Sequence, residues 1–245
     1  MLTKSRAVST TRAAKTLGVS EETVRRDFEK LETDGHVYRK HGGVVRANDS
    51  RSDLPLDSRE TANVAEKQAI AKVALTHINK GDTVFFDASS TVFHLARLLT
   101  NLEATVLTNG LKIAVELARQ PAVEVILVGG VVNHGSLSCQ GALADQILES
   151  YHLQKVFISC RGVDAARGLS EANAEQAGLR RKIIKLSDQT IVLADHAKIG
   201  LKSSYFFAKL ENIDTLITDR PPGTKFKQAL QKSGVKLLTP GKERT

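Results

Sequence analysis

Residues 83–92 have the sequence Thr-Val-Phe-Phe-Asp-Ala-Ser-Ser-Thr-Val, in which a short apolar run leads into an acid and three hydroxylic side chains. The apolar run predicts a buried strand. The hydroxylic side chains predict the first turn of a helix, because Ser and Thr cap free backbone N–H groups there. Such a turn carries positive potential, so this junction suits a phosphate group, although a plain helix cap would leave the same pattern.

The same alternation of strand and helix extends over most of the chain. Runs rich in Val, Ile, Leu and Phe predict six strands, at residues 83–86, 104–107, 123–128, 156–159, 190–194 and 215–218. Helical spacing lies between them at residues 92–99, 112–119, 142–149 and 175–186, and ahead of them at residues 66–78. Continuous apolar strands that alternate with helices predict a mostly parallel sheet covered on both faces, which is an α/β fold.

Polar residues and glycines follow these strands at the edge where open parallel sheets bind ligands. Among them, Asp164 and Asp195 could accept hydrogen bonds from the hydroxyl groups of a sugar. Lys198 could neutralise a phosphate. Turns and caps explain Gly129-Gly130 and Thr218-Asp219 better than ligand contacts do.

Two sets of side chains receive structural rather than functional interpretations. A solvated helix surface best explains the charged group Glu175, Arg180, Arg181 and Lys182. The two cysteines, Cys139 and Cys160, have neither a CxxC spacing nor a nearby pair of histidines, so we interpret them as small buried residues. We therefore predict no metal site and no cofactor.

The first 46 residues predict a separate DNA-binding unit. Residues 10–17 predict a helix, Gly18-Val19 a tight turn, and Ser20 the cap of a second helix with an apolar stripe. Residues 37–44, Val-Tyr-Arg-Lys-His-Gly-Gly-Val, predict a basic β-hairpin, or wing. A helical hairpin without DNA function is the alternative. The candidate DNA contacts are Ser20, Thr23, Arg25, Arg26, Lys30, Arg39, Lys40 and His41.

Charge favours a polyanionic partner for this unit, namely double-stranded DNA. The chain carries a net charge of +8, and its first twenty residues contain four basic and no acidic side chains. A solvated basic tail is the alternative. Residues 47–65, a polar stretch interrupted by a Pro, predict a linker, which divides the chain into residues 1–46, 47–65 and 66–245.

The apolar runs of the chain also predict its compartment. The longest of them are too short to cross a bilayer, and the N-terminus has no apolar signal segment. We therefore expect a cytoplasmic protein with no membrane partner.

Both parts of the chain resemble one known family. Residues 19–27, Val-Ser-Glu-Glu-Thr-Val-Arg-Arg-Asp, and residues 39–44, Arg-Lys-His-Gly-Gly-Val, resemble the winged helix-turn-helix of the DeoR family. The resemblance to the DeoR effector domain extends from residues 66–71, Glu-Lys-Gln-Ala-Ile-Ala, to residues 217–219, Ile-Thr-Asp. Membership of this family implies a bacterial repressor of a sugar-catabolic operon, which a phosphorylated sugar releases from DNA.

The resemblance also implies a fold similar to the ribose-5-phosphate isomerase and CoA-transferase group, with a sugar phosphate held by the strand-end loops. By that resemblance, Ser89, Ser90 and Thr91 contact the phosphate. The sugar contacts are Asp87, Asn109, Asp164, Asp195 and Lys198, with Gln140, Gly141 and Arg161 at the rim. A homo-oligomer would place two DNA-binding units on a repeated operator.

One departure from the family pattern concerns the start of the chain. Family members usually carry a further helix before the segment that begins here near Val8. We therefore expect a truncated DNA-binding unit in which Val24, Phe28 and Leu31 are exposed. A protein that binds its ligand but not DNA is one alternative function.

An isomerase-like enzyme is the other alternative, since the implied fold is shared with a sugar-phosphate isomerase. Asp87, Asp164 or Asp195 would act as the base and Lys198 as the acid. An isomerase has no use for a basic recognition helix, so the sequence favours a regulator that is not an enzyme.

Overall fold

The computed structural model describes residues 7–33, 37–40, 42–46 and 56–241. We call residues 7–46 the head. It contains strand β1 (Ala7–Ser9), helix α1 (Thr10–Leu17), helix α2 (Glu21–Thr33), strand β2 (Val37–Lys40) and strand β3 (Gly43–Arg46). The strands form an antiparallel sheet in the order β1-β3-β2. The two helices and the β2-β3 hairpin agree with the sequence analysis, whereas β1 is an addition to it.

A small apolar core stabilises the head. Val24 is 1% exposed and Phe28 is 8% exposed, and both pack in one cluster with Val8 and Val44, against which Leu31 is partly buried. The expectation that Val24 and Phe28 would be exposed is wrong. Pairing of β1 with β3 brings Val8 into the cluster, and helix α1 and strand β2 pack against α2.

The second part of the chain, residues 56–241, is called the body. Its helices are α3 (Leu56–Thr61), α4 (Val64–Leu75), α5 (Ser90–Ala96), α6 (Leu111–Leu117), α7 (Ala142–Glu149), α8 (Ala174–Lys185) and α9 (Thr224–Lys232). Its strands are β4 (Thr83–Phe86), β5 (Ala104–Thr108), β6 (Val123–Leu127), β7 (Val131–Asn133), β8 (Ser138–Gln140), β9 (Leu153–Ile158), β10 (Gly162–Asp164), β11 (Gly168–Glu171), β12 (Ser187–Leu193), β13 (Tyr205–Ala208), β14 (Thr215–Ile217) and β15 (Lys236–Leu238). Short 3-10 helices cover His196–Lys198 and Leu210–Asn212. Among the described residues, no helix is both long and apolar enough to cross a membrane.

Seven parallel strands form the central sheet of the body, in the order β15-β14-β12-β9-β4-β5-β6. This confirms the predicted α/β fold with a mostly parallel sheet, and all six predicted strands are present. The seventh, β15, is not predicted because its three residues include the exposed Lys236 and form no apolar run. Since the strands run parallel, their carboxyl ends meet at one edge of the sheet.

Both faces of this sheet are buried. Phe85 packs on one face with side chains from α7, α8 and α9, and its neighbours Val84 and Phe86 pack on the other with α4, α5 and α6. All three side chains are fully buried. Burial on two sides explains why the strands are continuous apolar runs instead of alternating apolar and polar residues.

Two small antiparallel sheets lie in the connections that follow central strands, and the sequence does not predict them. Strands β7 and β8 form a hairpin after β6. Strands β10 and β11, which follow β9, form a three-stranded sheet with β13, which follows β12. Each of these strands has only three or four residues, too few for a recognisable period.

Residues 56–65 belong to the stretch expected as a linker, yet they are largely helical. Leu56 and Ala62 are buried, and the Leu56 N–H donates to the Gly135 carbonyl at 2.8 Å. Composition alone conceals this packing because the apolar residues are few, a Pro interrupts them and they follow no helical period. The rest of that stretch, residues 47–55, lies outside the described residues.

A glycine at the start of β11 provides a test of this packing. Gly168 has φ 81°, and a Cβ at this position would lie 2.2 Å from the Ala208 carbonyl oxygen. We expect Gly168→Ala to lower the free energy of unfolding by at least about 2 kcal/mol, because a side chain both strains this backbone and collides with β13. Calorimetry would detect this loss as a lower Tm. The matched control, Gly178→Ala in α8, should leave Tm unchanged or raise it, since its Cβ position is open. An unchanged Tm for Gly168→Ala would contradict the close approach of β11 and β13.

Candidate effector site and nucleic-acid interface

Asp87 lies at the centre of the carboxyl edge of the sheet, directly after β4. It is 2% exposed, and its Oδ2 accepts hydrogen bonds from the Ser159 N–H at 3.0 Å and from Arg180 Nε at 2.8 Å. Among the described residues, its buried Oδ1 has no hydrogen-bond partner. One carboxylate oxygen is therefore fixed by the protein while the other remains able to accept a hydrogen bond from a ligand.

Arg180 is a buried member of this site, so the prediction that it lies on a solvated surface is wrong. The residue is 5% exposed, and its Nη1 lies 2.8 Å from Glu171 Oε2. Burial opposes its charge, but the carboxylates of Asp87 and Glu171 outweigh burial and raise the pKa of Arg180. Arg180 thus remains a cation that joins α8 to the sheet edge.

A helical pattern in the sequence could have identified Arg180. It follows the buried Ala177 by three residues and precedes the buried Ile183 by three, so all three lie on the stripe that faces the sheet. The adjacent Arg181 is exposed and Lys182 pairs with carboxylates on α7, as expected for a solvated surface.

A narrow cleft of about 10 Å³, roughly the space for one water molecule, lies between the sheet edge and α8. Asp87, Asn109 and Arg180 line it, together with Gln176. The Gln176 Nε2 is buried and has no hydrogen-bond partner among the described residues. By contrast, both ends of the Asn109 amide are occupied, since it accepts from the Ala88 N–H at 3.0 Å and donates to the Cys139 carbonyl at 3.3 Å. In this structure Asn109 therefore joins neighbouring loops.

The hydroxylic cluster of residues 89–91 is buried at the start of α5. Ser89 caps the helix, because its Oγ accepts from the Val92 N–H at 3.2 Å. Ser90 and Thr91 are 3% and 0% exposed, and the Thr91 Oγ1 has no hydrogen-bond partner among the described residues. The cluster therefore combines the simple cap that the sequence allows with an unsatisfied buried hydroxyl.

A second polar group follows β12 at the same edge. Lys198 Nζ donates to Ser159 Oγ at 2.9 Å and lies 3.9 Å from Asp195 Oδ2. Asp195 is 2% exposed, and its Oδ1 accepts from Asn63 Nδ2 at 3.3 Å. Ser159 thus connects the Lys198 group to the Asp87 group, since its N–H donates to Asp87.

The remaining predicted contacts have structural partners. Asp164 accepts from the backbone N–H groups of Ala166 and Arg167 in the β10-β11 turn, and its Oδ2 lies 3.3 Å from Lys202 Nζ. Burial opposes ionisation of Asp164, but these hydrogen bonds lower its pKa overall. Gly141 precedes α7 with φ 100°, and Arg161 donates its N–H to the Ser170 carbonyl. Gln140 donates its amide to Glu175 on α8.

The sequence analysis assigns no role to Lys67, yet the residue is 3% exposed and carries an ionisable group. Burial and the neighbouring Lys198 lower the pKa of Lys67 to about 7. The sequence does carry a signal for this burial, because Lys67 lies three residues before Ile70 and seven before Ala74, on the buried face of α4.

Cys160 is buried as predicted, and burial raises its pKa to about 12, so the thiol is protonated at neutral pH. The described residues include no group of three or more His, Cys, Asp or Glu that could hold a metal ion.

The candidate nucleic-acid interface is the exposed side of α2. Ser20 Oγ accepts from the Thr23 N–H at 3.1 Å and thereby caps the helix. Thr23, Arg26 and Lys30 are exposed on the side opposite the buried Val24. This is the arrangement that a recognition helix needs, with donors outward and apolar side chains inward.

Two arginines of the head form ion pairs with glutamates of the same unit. Arg25 is 56% exposed and pairs with Glu21 at 3.3 Å and Glu22 at 3.5 Å. Arg39 on β2 lies 2.8 Å from Glu29 and donates to the Arg25 carbonyl at 3.1 Å, so it fastens the hairpin to α2. The side chain of Lys40 and the whole of His41 lie outside the described residues.

Comparison with known families assigns both parts of the chain. The family model of the DeoR-like helix-turn-helix domain matches residues 1–50, and that of the DeoR C-terminal sensor domain matches residues 62–220. Two solved structures are similar at low sequence identity. A probable sor operon regulator from Shigella flexneri is 11% identical, with a TM-score of 0.42, over 76% of this chain and 88% of that one. Ribose 5-phosphate isomerase A from Methanocaldococcus jannaschii is 17% identical, with a TM-score of 0.42, over 56% and 55%.

Sequence relatives align over most of their length. The transcriptional regulator YulB of Bacillus subtilis is 41% identical, over 89% of this chain and 85% of YulB. The transcriptional repressor GlcR of the same organism is 35% identical, over 94% and 89%. The transcriptional regulator GolR of Listeria innocua is 33% identical, over 96% and 93%. The chain therefore belongs to the DeoR family of helix-turn-helix transcriptional regulators, which are DNA-binding proteins and not enzymes.

Proposed function

We propose that this protein is a cytoplasmic repressor of a carbohydrate-catabolism operon that leaves its operator when a phosphorylated sugar binds at the carboxyl edge of the sheet. The observation that carries the proposal is a set of charged side chains at one sheet edge of a chain that also has a helix-turn-helix head. Asp87, Arg180 and Asp195 are buried, and Lys198 beside them is partly buried. Buried charges in a cleft are costly unless they serve a ligand or each other.

Each part of a sugar phosphate has candidate partners in this site. Lys198 and the hydroxyls of Ser90 and Thr91 suit the phosphate, since one is a cation and the others are donors. The unpartnered Oδ1 of Asp87 suits a sugar hydroxyl. In this proposal Arg180 is a positioning residue, because it holds the other oxygen of Asp87.

Release from DNA follows from coupling between the two parts of the protein. We propose that residues 1–46 bind the operator and residues 66–245 sense the sugar phosphate, with a linker between them. A homo-oligomer would set the spacing of two heads on a repeated operator. A sugar phosphate that prefers an arrangement with a different spacing weakens DNA binding by the coupling free energy. The isomerase alternative is set aside, because the relatives that align over most of their length are transcriptional regulators.

A thermal-shift screen of pentose and hexose phosphates, with the unphosphorylated sugars as controls, tests the ligand class. A ligand that binds only the folded protein raises Tm. We expect at least one sugar phosphate to raise Tm where its parent sugar does not. A screen in which no sugar phosphate exceeds its parent sugar would refute the proposed effector.

Substitutions on the exposed side of α2 test the DNA contacts. We expect Arg25→Ala and Arg26→Ala each to weaken binding to the protein's own upstream DNA by about 1–3 kcal/mol, because each removes a guanidinium from bases or phosphates. Fluorescence anisotropy at several salt concentrations measures this loss. Arg119→Ala, at an exposed position on the body, is the control. The thermal shift by the sugar phosphate should persist in all three variants. Wild-type DNA affinity in both head variants would refute the assignment, and no DNA binding by the wild type would favour a protein that only binds its ligand.

A substitution in the hydroxylic cluster tests the phosphate contacts, and it should affect the response to the ligand instead of DNA binding. Ser90→Ala should retain DNA binding but lose release by the sugar phosphate, because it removes a donor to the phosphate without touching the head. Release is measured by adding the sugar phosphate to the protein–DNA complex. Ser150→Ala, at an exposed position after α7, should respond like the wild type. Unchanged release from Ser90→Ala would show that the phosphate binds elsewhere.

The Arg180 pair provides a stability test with a functional readout. Arg180→Met should cost about 3–5 kcal/mol of stability, because it leaves two buried carboxylates without their cation. Adding Asp87→Asn to Arg180→Met replaces one of the two buried carboxylates by a neutral amide. In a double-mutant cycle, this double variant should recover part of the lost stability. Both variants should lose the thermal shift by the sugar phosphate. Arg181→Met, one position along the helix, removes only an exposed hydrogen bond to the Phe206 carbonyl, so it should cost no more than about 1 kcal/mol and retain the thermal shift. If Arg180→Met and Arg181→Met lowered stability by the same small amount, the buried network would be contradicted.

A further inference from the structure

The ammonium group of Lys67 is buried against the end of a helix. Its Nζ donates to the carbonyl oxygens of Arg59 and Ala62, which lie at and just beyond the carboxyl-terminal turn of α3. An ammonium carries three donors, so two carbonyls leave one of them unused. Carbonyl oxygens carry no full charge, and a buried ammonium bound only to them is less stable than one paired with an anion.

Two cations and two carboxylates surround Lys67. After burial itself, Lys198 contributes most to lowering its pKa, Arg59 lowers it further, and Asp195 and Glu60 act in the other direction. Lys67 also acts on α5, where burial and then Lys67 lower the pKa of His94 to about 4. The charged and titratable groups that face Lys67 are Arg59, Glu60, His94, Asp195 and Lys198.

Lys67 also lies near the hydroxylic cluster. His94 follows Thr91 by three residues on α5, so the two side chains share a face of that helix. Both are buried, and the Thr91 Oγ1 and His94 Nε2 have no hydrogen-bond partner among the described residues. The ammonium group of Lys67 thus lies near a buried imidazole that has an unsatisfied nitrogen, on the helix face that also carries Thr91.

We infer that Lys67 is a second anion-binding residue of the effector site, and that it exchanges the carbonyl oxygens of α3 for the phosphate group when the sugar phosphate binds. This inference rests on the proposed function. The anion supplies the charge that the carbonyl oxygens lack, and it separates two lysines that otherwise repel each other.

The exchange affects the helix that connects the body to the linker. Helix α3 is held to the body by the Leu56 N–H on the Gly135 carbonyl at 2.8 Å and by Glu60 and Lys112 at 2.7 Å. Just beyond its end, Asn63 donates to Asp195. When Lys67 turns to the phosphate, α3 loses two of its hydrogen bonds to the body. Because α3 follows residues 47–55 directly, ligand binding reaches the segment that leads to the head.

Sulfate is a suitable probe for the anion site, because its charge does not change between about pH 6 and about pH 9, where Lys67 titrates. Sulfate affinity is measured by thermal shift against chloride of matched ionic strength, for four proteins: wild type, Lys67→Met, Lys67→Gln and Lys72→Met. Lys67→Gln retains a donor for the α3 carbonyls but removes the charge. Lys72→Met is the matched control on the same helix, at an exposed position.

We expect both Lys67 variants to bind sulfate about ten- to a hundredfold more weakly than the wild type, as for the loss of one hydrogen bond to a charged group. The affinity of the wild type should fall as the pH rises through about 7, because Lys67 loses its proton there. This fall should be absent from both Lys67 variants and retained in Lys72→Met.

Three outcomes decide the matter. Weaker binding and a flat pH profile in both Lys67 variants support the inference. Wild-type sulfate affinity in Lys67→Gln, while Ser90→Ala loses affinity, overturns the role of Lys67 and leaves the proposed function intact. If the wild type responds neither to sulfate beyond chloride nor to any sugar phosphate, both the inference and the proposed function fail.

Discussion

A carboxylate and a guanidinium that are both almost wholly buried, Asp87 and Arg180, join the edge of the sheet to helix α8. The desolvation of two such charges is tolerated only because each neutralises the other and Glu171 completes the network. The pair fixes the position of α8 over the ends of β4 and β9, and that position defines the cleft. It also orients Asp87 so that one of its oxygens is occupied and the other is not.

The parallel sheet is what brings the rest of the site to this pair. Residues that are far apart in the chain, such as Asp87, Ser159 and Asp195, each follow a parallel strand and therefore arrive at the same edge. Ser159 connects the groups, since its N–H donates to Asp87 and its hydroxyl accepts from Lys198. Arg180, Asp87, Ser159 and Lys198 thus form one hydrogen-bonded group, and a ligand that contacts one of them perturbs the others.

Helix α3 places this assembly next to the connection with the head. Its contacts with Gly135, Lys112 and Lys67 come from three separate elements of the body. A segment held by several polar contacts is sensitive to any ligand that competes for one of them. The physical route from sensor to DNA that we propose is therefore short, because Asn63, two residues after α3, donates to the strand-end residue Asp195.

The sequence by itself determined six of the seven strands of the central sheet and the two helices of the head. Apolar runs predicted the six strands found in the sheet, the cap and stripe around Ser20 predicted the helix-turn-helix, and the strand-end rule located Asp87 and Asp195. Only the tertiary structure decided which charged side chains are buried. Arg180 and Arg181 are adjacent and chemically identical, yet one lies in the network and the other in solvent. Helical spacing places Lys67 and Arg180 on the apolar stripes of α4 and α8. Whether a charged side chain on such a stripe is buried depends on which elements pack against it, and the tertiary structure decides that.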